Sequence, residues 1–214
     1  AKLTGALQTE GVTADDYGVS ALGMFDLFRF HRLKYVLEHP GEFNDPGLDP
    51  AAMGQPNDRY LALARTWLDK ALPLAENAPN RVKFQYYDAR LKAMMGDFKG
   101  LAETLPALLE RYPKHNRLRL ILAHALVETN LLGQAATEVR TALERAVETG
   151  NKADLALAYR VEAALEAKRG RVEDQLTALN AVLKLRPTDE LTTIRTAQLS
   201  LKRKHAQECQ ALLV

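Results

Sequence analysis

Two prolines 34 residues apart, Pro79 and Pro113, each close a stretch with helical apolar spacing, and that interval constrains the fold more than any other feature. Between them runs RVKFQYYDARLKAMMGDFKGLAETLPALLERYP, interrupted near its middle by Gly96-Asp97. Glycine accepts the left-handed backbone that stops a helix, and a proline after a helix prevents its continuation. The segment therefore predicts two helices folded back on each other, a helical hairpin.

The plan recurs. In HNRLRLILAHALVETNLLGQAATEVRTALERAV, Asn130 stands at the place of Gly96 and Leu132 at the place of Phe98, and asparagine also tolerates the left-handed turn. Ala123 then matches Ala89, Ala135 matches Leu101 and Val139 matches Leu105. A third segment has Gly170 at the turn, then Val172, Leu179 and Pro187. Its turn comes 40 residues after Asn130, so the link from Glu148 to Asp154 is expected to carry about six extra residues.

The frame of Ala89, Gly96, Phe98, Leu101 and Pro113, with Ala163, Gly170, Val172 and Pro187 in the third segment, resembles the tetratricopeptide repeat. The places of that family's Trp and Leu-Gly pair hold Gln85 and Asp88-Ala89 in one unit, Arg119 and Leu122-Ala123 in the next, so the repeats are degenerate. The resemblance covers residues 59–214. It implies an all-α chain in which antiparallel helix pairs stack into a right-handed superhelix, an α-solenoid that binds proteins or peptides. Units are expected at about 82–114, 115–148 and 155–188, with partial units at 59–79 and 189–214, the last placing Ala197 where Ala163 and Ala123 stand. Pro73 and Pro106 fall inside predicted second helices, where each removes a backbone hydrogen bond and is expected to kink its helix.

Residues 1–58 differ in composition. Thr13 and Asp15-Asp16 mark a helix start, and Met24, Phe25, Leu27, Phe28, Phe30, Leu33, Tyr35, Val36 and Leu37 make the helix to about Glu38 apolar nearly all round. Such a helix is expected to open an atypical unit or to dock on another subunit or surface. Residues 40–56 contain four prolines and three glycines and read as a long loop.

Chemistry is harder to find. The chain has 29 Lys+Arg against 27 Asp+Glu, a formal net charge of +2, which gives no ground for a nucleic-acid partner. Cys209 is the only cysteine, so neither an internal disulfide nor a thiolate metal cluster can form. His31, His39, His115, His124 and His205 lack the spacing of a zinc-hydrolase helix, and no phosphate-binding glycine loop or nucleophile elbow occurs. The reading is a non-enzyme without metal or cofactor and without a membrane span. The first residue is Ala1 rather than Met, compatible with a processed chain, an excised domain or a removed start, so cytoplasm and periplasm both stay open.

In the arrangement implied by the resemblance, first helices line a concave face. The register set by Gly96, Asn130 and Gly170 nominates Lys83, Tyr86, Tyr87, Arg90, Arg117, His124, Arg160, Lys168 and Arg195 as peptide contacts. That basic and aromatic set suits a protein or peptide partner, an acidic one included. The Lys/Asn/Asn/Lys/Arg clamp of some family members is not reproduced, because Tyr86, Arg90, Ile121, Leu157 and Val161 occupy the comparable places. Two other readings belong to different classes. One is a helical appendage of a larger enzyme; the other is a homo-oligomer joined through the N-terminal apolar helix or the C-terminal edge.

Overall fold

A computed structural model describes residues 13–15, 17–24, 27, 58–77 and 79–211, with the backbone alone for 58–59 and 205–211. All regular structure among them is helical. After helical residues 14–15 and 17–24 come α1 (Asp58–Leu74), α2 (Arg81–Met94), α3 (Phe98–Arg111), α4 (Asn116–Glu128), α5 (Leu132–Glu148), α6 (Lys152–Lys168), α7 (Val172–Leu185) and α8 (Glu190–Ala211). The 40–56 loop and most of the apolar segment from Phe25 to Glu38 lie outside the described residues. The chain divides into two compact units, Ala1–Leu101 and Ala102–Val214, with the division inside α3.

In the first unit the N-terminal helical residues, α1 and α2 share one core of Ala21, Met24, Leu61, Trp67, Leu68, Phe84 and Leu91, with alanines between them. Helix formation begins after Thr13 as the sequence predicts, and the carbonyl of Thr13 accepts from the Tyr17 amide at 3.3 Å. The described part of this helix is one-sided: Ala21 and Met24 are buried, whereas Val19 and Leu27 are exposed. Gly18 permits its close approach to α2, since a Cβ there would lie 3.0 Å from Cε1 of Phe84. Ion pairs join α1 to α2 through Arg65 and Asp88, and Asp88 also holds Lys92 at 3.0 Å.

In the second unit α4 packs on α5 and α6, α5 on α6, α6 on α7, and α7 on α8. Three-residue connections at 129–131, 149–151 and 169–171 force consecutive helices to run antiparallel. Each closes in the same way. Asn130, Gly150 and Gly170 have φ of 62°, 63° and 72°, and the residue after each donates its amide to the carbonyl five positions back. These bonds are Leu131 to Leu126 at 2.8 Å, Asn151 to Ala146 at 3.0 Å and Arg171 to Glu166 at 2.9 Å, and they satisfy carbonyls that the helix ends leave open. In the first unit Gly96 does the same at φ 81°, with Asp97 donating to Lys92 at 2.9 Å.

Two expectations are corrected here. The extra residues between the second and third repeats do not form a link from Glu148 to Asp154; they lengthen α5 and α6, and α6 starts at Lys152 because Gly150 turns the chain and Asn151 caps it. Ala197 is exposed on α8, unlike Ala123 and Ala163, which are fully buried between helices. The interior prolines sit as predicted inside helices, Pro73 in α1 and Pro106 in α3, and both are exposed.

The Gly18 contact yields a direct test. Gly18→Val is expected to destabilise the chain by about 1–3 kcal/mol through overpacking on Phe84, while Gly23→Ala, with open space around it, adds about 0.5–1 kcal/mol. Denaturant unfolding of the two variants checks the difference in sign.

Candidate binding face

The nominated residues fall into two groups, one in each unit. In the first unit, Tyr87 is 9% exposed and belongs to the core, edge-on to Phe84 with ring centroids 6.1 Å apart. Tyr86 is partly buried beside it at 5.8 Å. Tyr87 thus fills the core rather than an open face, because the N-terminal helix covers that side of α2. Lys83 donates to Asp15 at 2.6 Å, and that hydrogen bond raises the lysine pKa above its ordinary value. Arg90 is half-buried.

In the second unit Arg117 lies on α4, Arg160 and Lys168 on α6, and Arg195 on α8. They come with carboxylates that the sequence reading did not nominate. Arg117 Nε donates to Asp154 Oδ1 at 2.9 Å, and Asp154 stands in the first turn of α6. Arg160 pairs with Asp189, whose other carboxylate oxygen accepts from the Thr192 amide at 3.1 Å as α8 begins. Each arginine on one alternate helix therefore grips an acid at the N-terminal end of the next, where the helix dipole already favours negative charge. At the far end of α6, Lys168 reaches Glu128 of α4 at 3.3 Å, and His124 lies 3.7 Å from the same carboxylate. The pairs Arg117–Asp154 and Lys168–Glu128 link α4 to α6 start to start and end to end, so these two helices run parallel.

The charge of the face changes accordingly. Arg117, Arg160 and Lys168 are matched one for one by Asp154, Asp189 and Glu128. The result is a patterned polar surface rather than an uncompensated positive one. Arg195 is half-buried on α8. Among the described residues no group of His, Cys, Asp and Glu is placed to hold a metal ion, and no helix is long and apolar enough to cross a membrane.

Sequence reading also missed a histidine cap. His115 precedes α4, and its Nδ1 accepts the Leu118 amide at 3.2 Å, a bond only the neutral ring can make. Burial is the main reason that its pKa falls below the ordinary 6.5, with the charge of Arg117 adding to it, against raising contributions from a backbone hydrogen bond and Asp154. The opposite shift occurs at Glu162, which burial first, then Glu166 and Asp174, push above the ordinary 4.5.

Comparison with known proteins returns no match, neither a family model nor a curated protein nor a solved structure.

The two shifts give slopes of opposite sign. A histidine with a lowered folded pKa stabilises the fold above the unfolded value near 6.5, and that contribution is lost as the pH falls below it. Glu162 behaves inversely, its protonated form being favoured as the pH falls toward 4.5. Replacing His115 by Asn keeps a cap without the titration. The stability difference between the two proteins is expected to shift by about 1 kcal/mol in favour of the Asn variant between neutral pH and pH 5, read from urea midpoints.

Proposed function

We propose that the chain is a protein- or peptide-binding module of tetratricopeptide type, acting as a scaffold or adaptor in the assembly of a larger complex. The observation that carries the reading is the set of links between alternate helices, α4 to α6 and α6 to α8, which holds parallel first helices side by side. Side-by-side first helices of successive hairpins make a continuous face wide enough for a peptide, and such a face is what stacked helix pairs offer a partner. The packing within the second unit, where each helix from α4 to α8 lies on the next and α4 also on α6, supports the reading as stacked helix pairs.

The polar pattern also bears on the partner. Acid and base alternate along α4, α6 and the start of α8, so recognition rests on hydrogen bonds matched in position, with an acidic peptide required to displace Asp154 or Asp189 from its arginine. Selectivity comes from that matching more than from net attraction.

The test is a peptide array probed with the intact chain and with Arg117→Gln/Arg160→Gln. Peptides bound by the parent are expected to lose about tenfold in affinity with the double variant, as loss of two charge-assisted contacts implies. Equal binding by both proteins, with matching circular dichroism, removes the first-helix face as the site.

A further inference from the structure

A single imidazole stands where α4 begins, and the residues directly after it tie that helix to its neighbours. Asn116 Nδ2 donates to the Ala142 carbonyl of α5 at 3.0 Å, Arg117 Nε to Asp154 of α6 at 2.9 Å, and Arg119 to Glu138 of α5 at 2.6 Å. His115 sets the frame for all three. Its Nδ1 accepts the Leu118 amide at 3.2 Å, its own amide donates to the Tyr112 carbonyl at 3.0 Å, and its carbonyl accepts from the Arg119 amide at 3.3 Å.

These ties are not equally secure. Arg119 is 13% exposed and its second Nη reaches the Pro113 carbonyl at 3.2 Å, so packing and an additional bond fix that side of the turn. The Arg117 side chain is 44% exposed, little packing holds it, and its aim toward Asp154 follows the course of the first turn. Asp154 is the fixed half of the pair, 11% exposed and with its amide on the Asn151 cap at 3.1 Å. The charged groups facing the ring are Arg117 on its own helix and Asp154 on α6. Lys114 precedes it in the chain, and Arg145 of α5 sits on the Pro113 carbonyl. A proton on the ring is repelled by Arg117 and attracted by Asp154, so those effects oppose each other. At Nδ1 the proton also takes the lone pair that receives the Leu118 amide, and that change acts in one direction only, against the cap.

We propose that His115 is an acid-sensitive latch: the neutral ring closes the first turn of α4 and holds Arg117 on Asp154, and protonation of Nδ1 opens that turn and loosens the tie to α6. Burial of the ring favours its neutral form, so the latch is shut at neutral pH and opens as the pH falls below 6.5. The other end of α4 keeps its own tie through Glu128 to Lys168, which confines the opening to one end of the helix pair. The device needs no ligand. For the peptide-binding reading above, its consequence is a face whose Arg117 end is ordered at neutral pH and released in acid.

Hydrogen exchange of the full chain, followed by NMR at neutral pH and at pH 5 and corrected for the intrinsic pH dependence of exchange, tests the latch. Protection of the Leu118 amide and of the Arg117 Nε–H is expected to fall about fivefold in acid, as loss of one cap implies. The Thr192 amide, held by the Asp189 carboxylate at the start of α8, is the internal reference and is expected to keep its protection. His115→Asn and His115→Ser cap without titrating, and both are expected to hold Leu118 and Arg117 protected at pH 5. His124→Gln removes the other imidazole of α4 and is expected to leave the parent behaviour intact. Unchanged protection in the parent, equal loss in the Asn and Ser variants, parallel loss at Thr192, or disappearance of the effect in His124→Gln overturns the proposal. None of these signals requires a peptide, so the latch and the binding face fail separately.

Discussion

Alanine at the points where helices meet fixes the geometry of the second unit. Ala123, Ala135, Ala142, Ala158 and Ala163 have no exposed surface at all, and Ala178 is 3% exposed. A methyl group at each crossing lets backbones approach closely, so a long side chain on one helix can reach the next but one. The span of Arg117 to Asp154 depends on this, as does that of Asn116 Nδ2 to the Ala142 carbonyl at 3.0 Å. Larger residues at the alanine positions would separate the helices and break those polar contacts together, since close-packed interiors transmit strain.

The turns complete the constraint. Helices α4, α5 and α6 each end in a left-handed residue and a five-back amide bond, and α7 ends at Arg186 just before Pro187. Such an ending leaves no choice of loop length, and a short loop leaves no choice of neighbour. Caps then set where the following helix begins. Asn151 accepts from the Ala153 and Asp154 amides at 3.1 Å each, which is why α6 opens at Lys152.

Helix content, the hairpin turns and the buried small positions other than Ala197 were legible in the sequence because they depend on local rules: Gly96, Asn130 and Gly170 take the backbone their residue types favour. The Gly150 turn was equally local, with an Asn cap and an acid three positions later, but a period counted from turn to turn treats added helix as added loop. The face was legible only by direction. A helical projection orients Arg117, Arg160 and Lys168, yet it contains no neighbouring helix, so it is blind to Asp154, Asp189 and Glu128. Tyr87 was misjudged for the same reason, since only the packed N-terminal helix turns that side of α2 into an interior.

The two sides of α4 therefore offer opposite chemistry from one thirteen-residue helix. On the side of Arg117 and His124, nearby carboxylates meet the charges, and the helix is linked to α6 at both ends. On the side of Arg119, one guanidinium is drawn into apolar surroundings and is only partly satisfied by Glu138 and Pro113. Leaving a buried donor without an acceptor costs about 1–3 kcal/mol, whereas on the first face each partly exposed cation meets a largely buried carboxylate and both partners are matched. The unmet hydrogen-bonding capacity of α4 therefore lies on the side with fewer charges, at a nitrogen that the packing of Arg119 closes off from solvent.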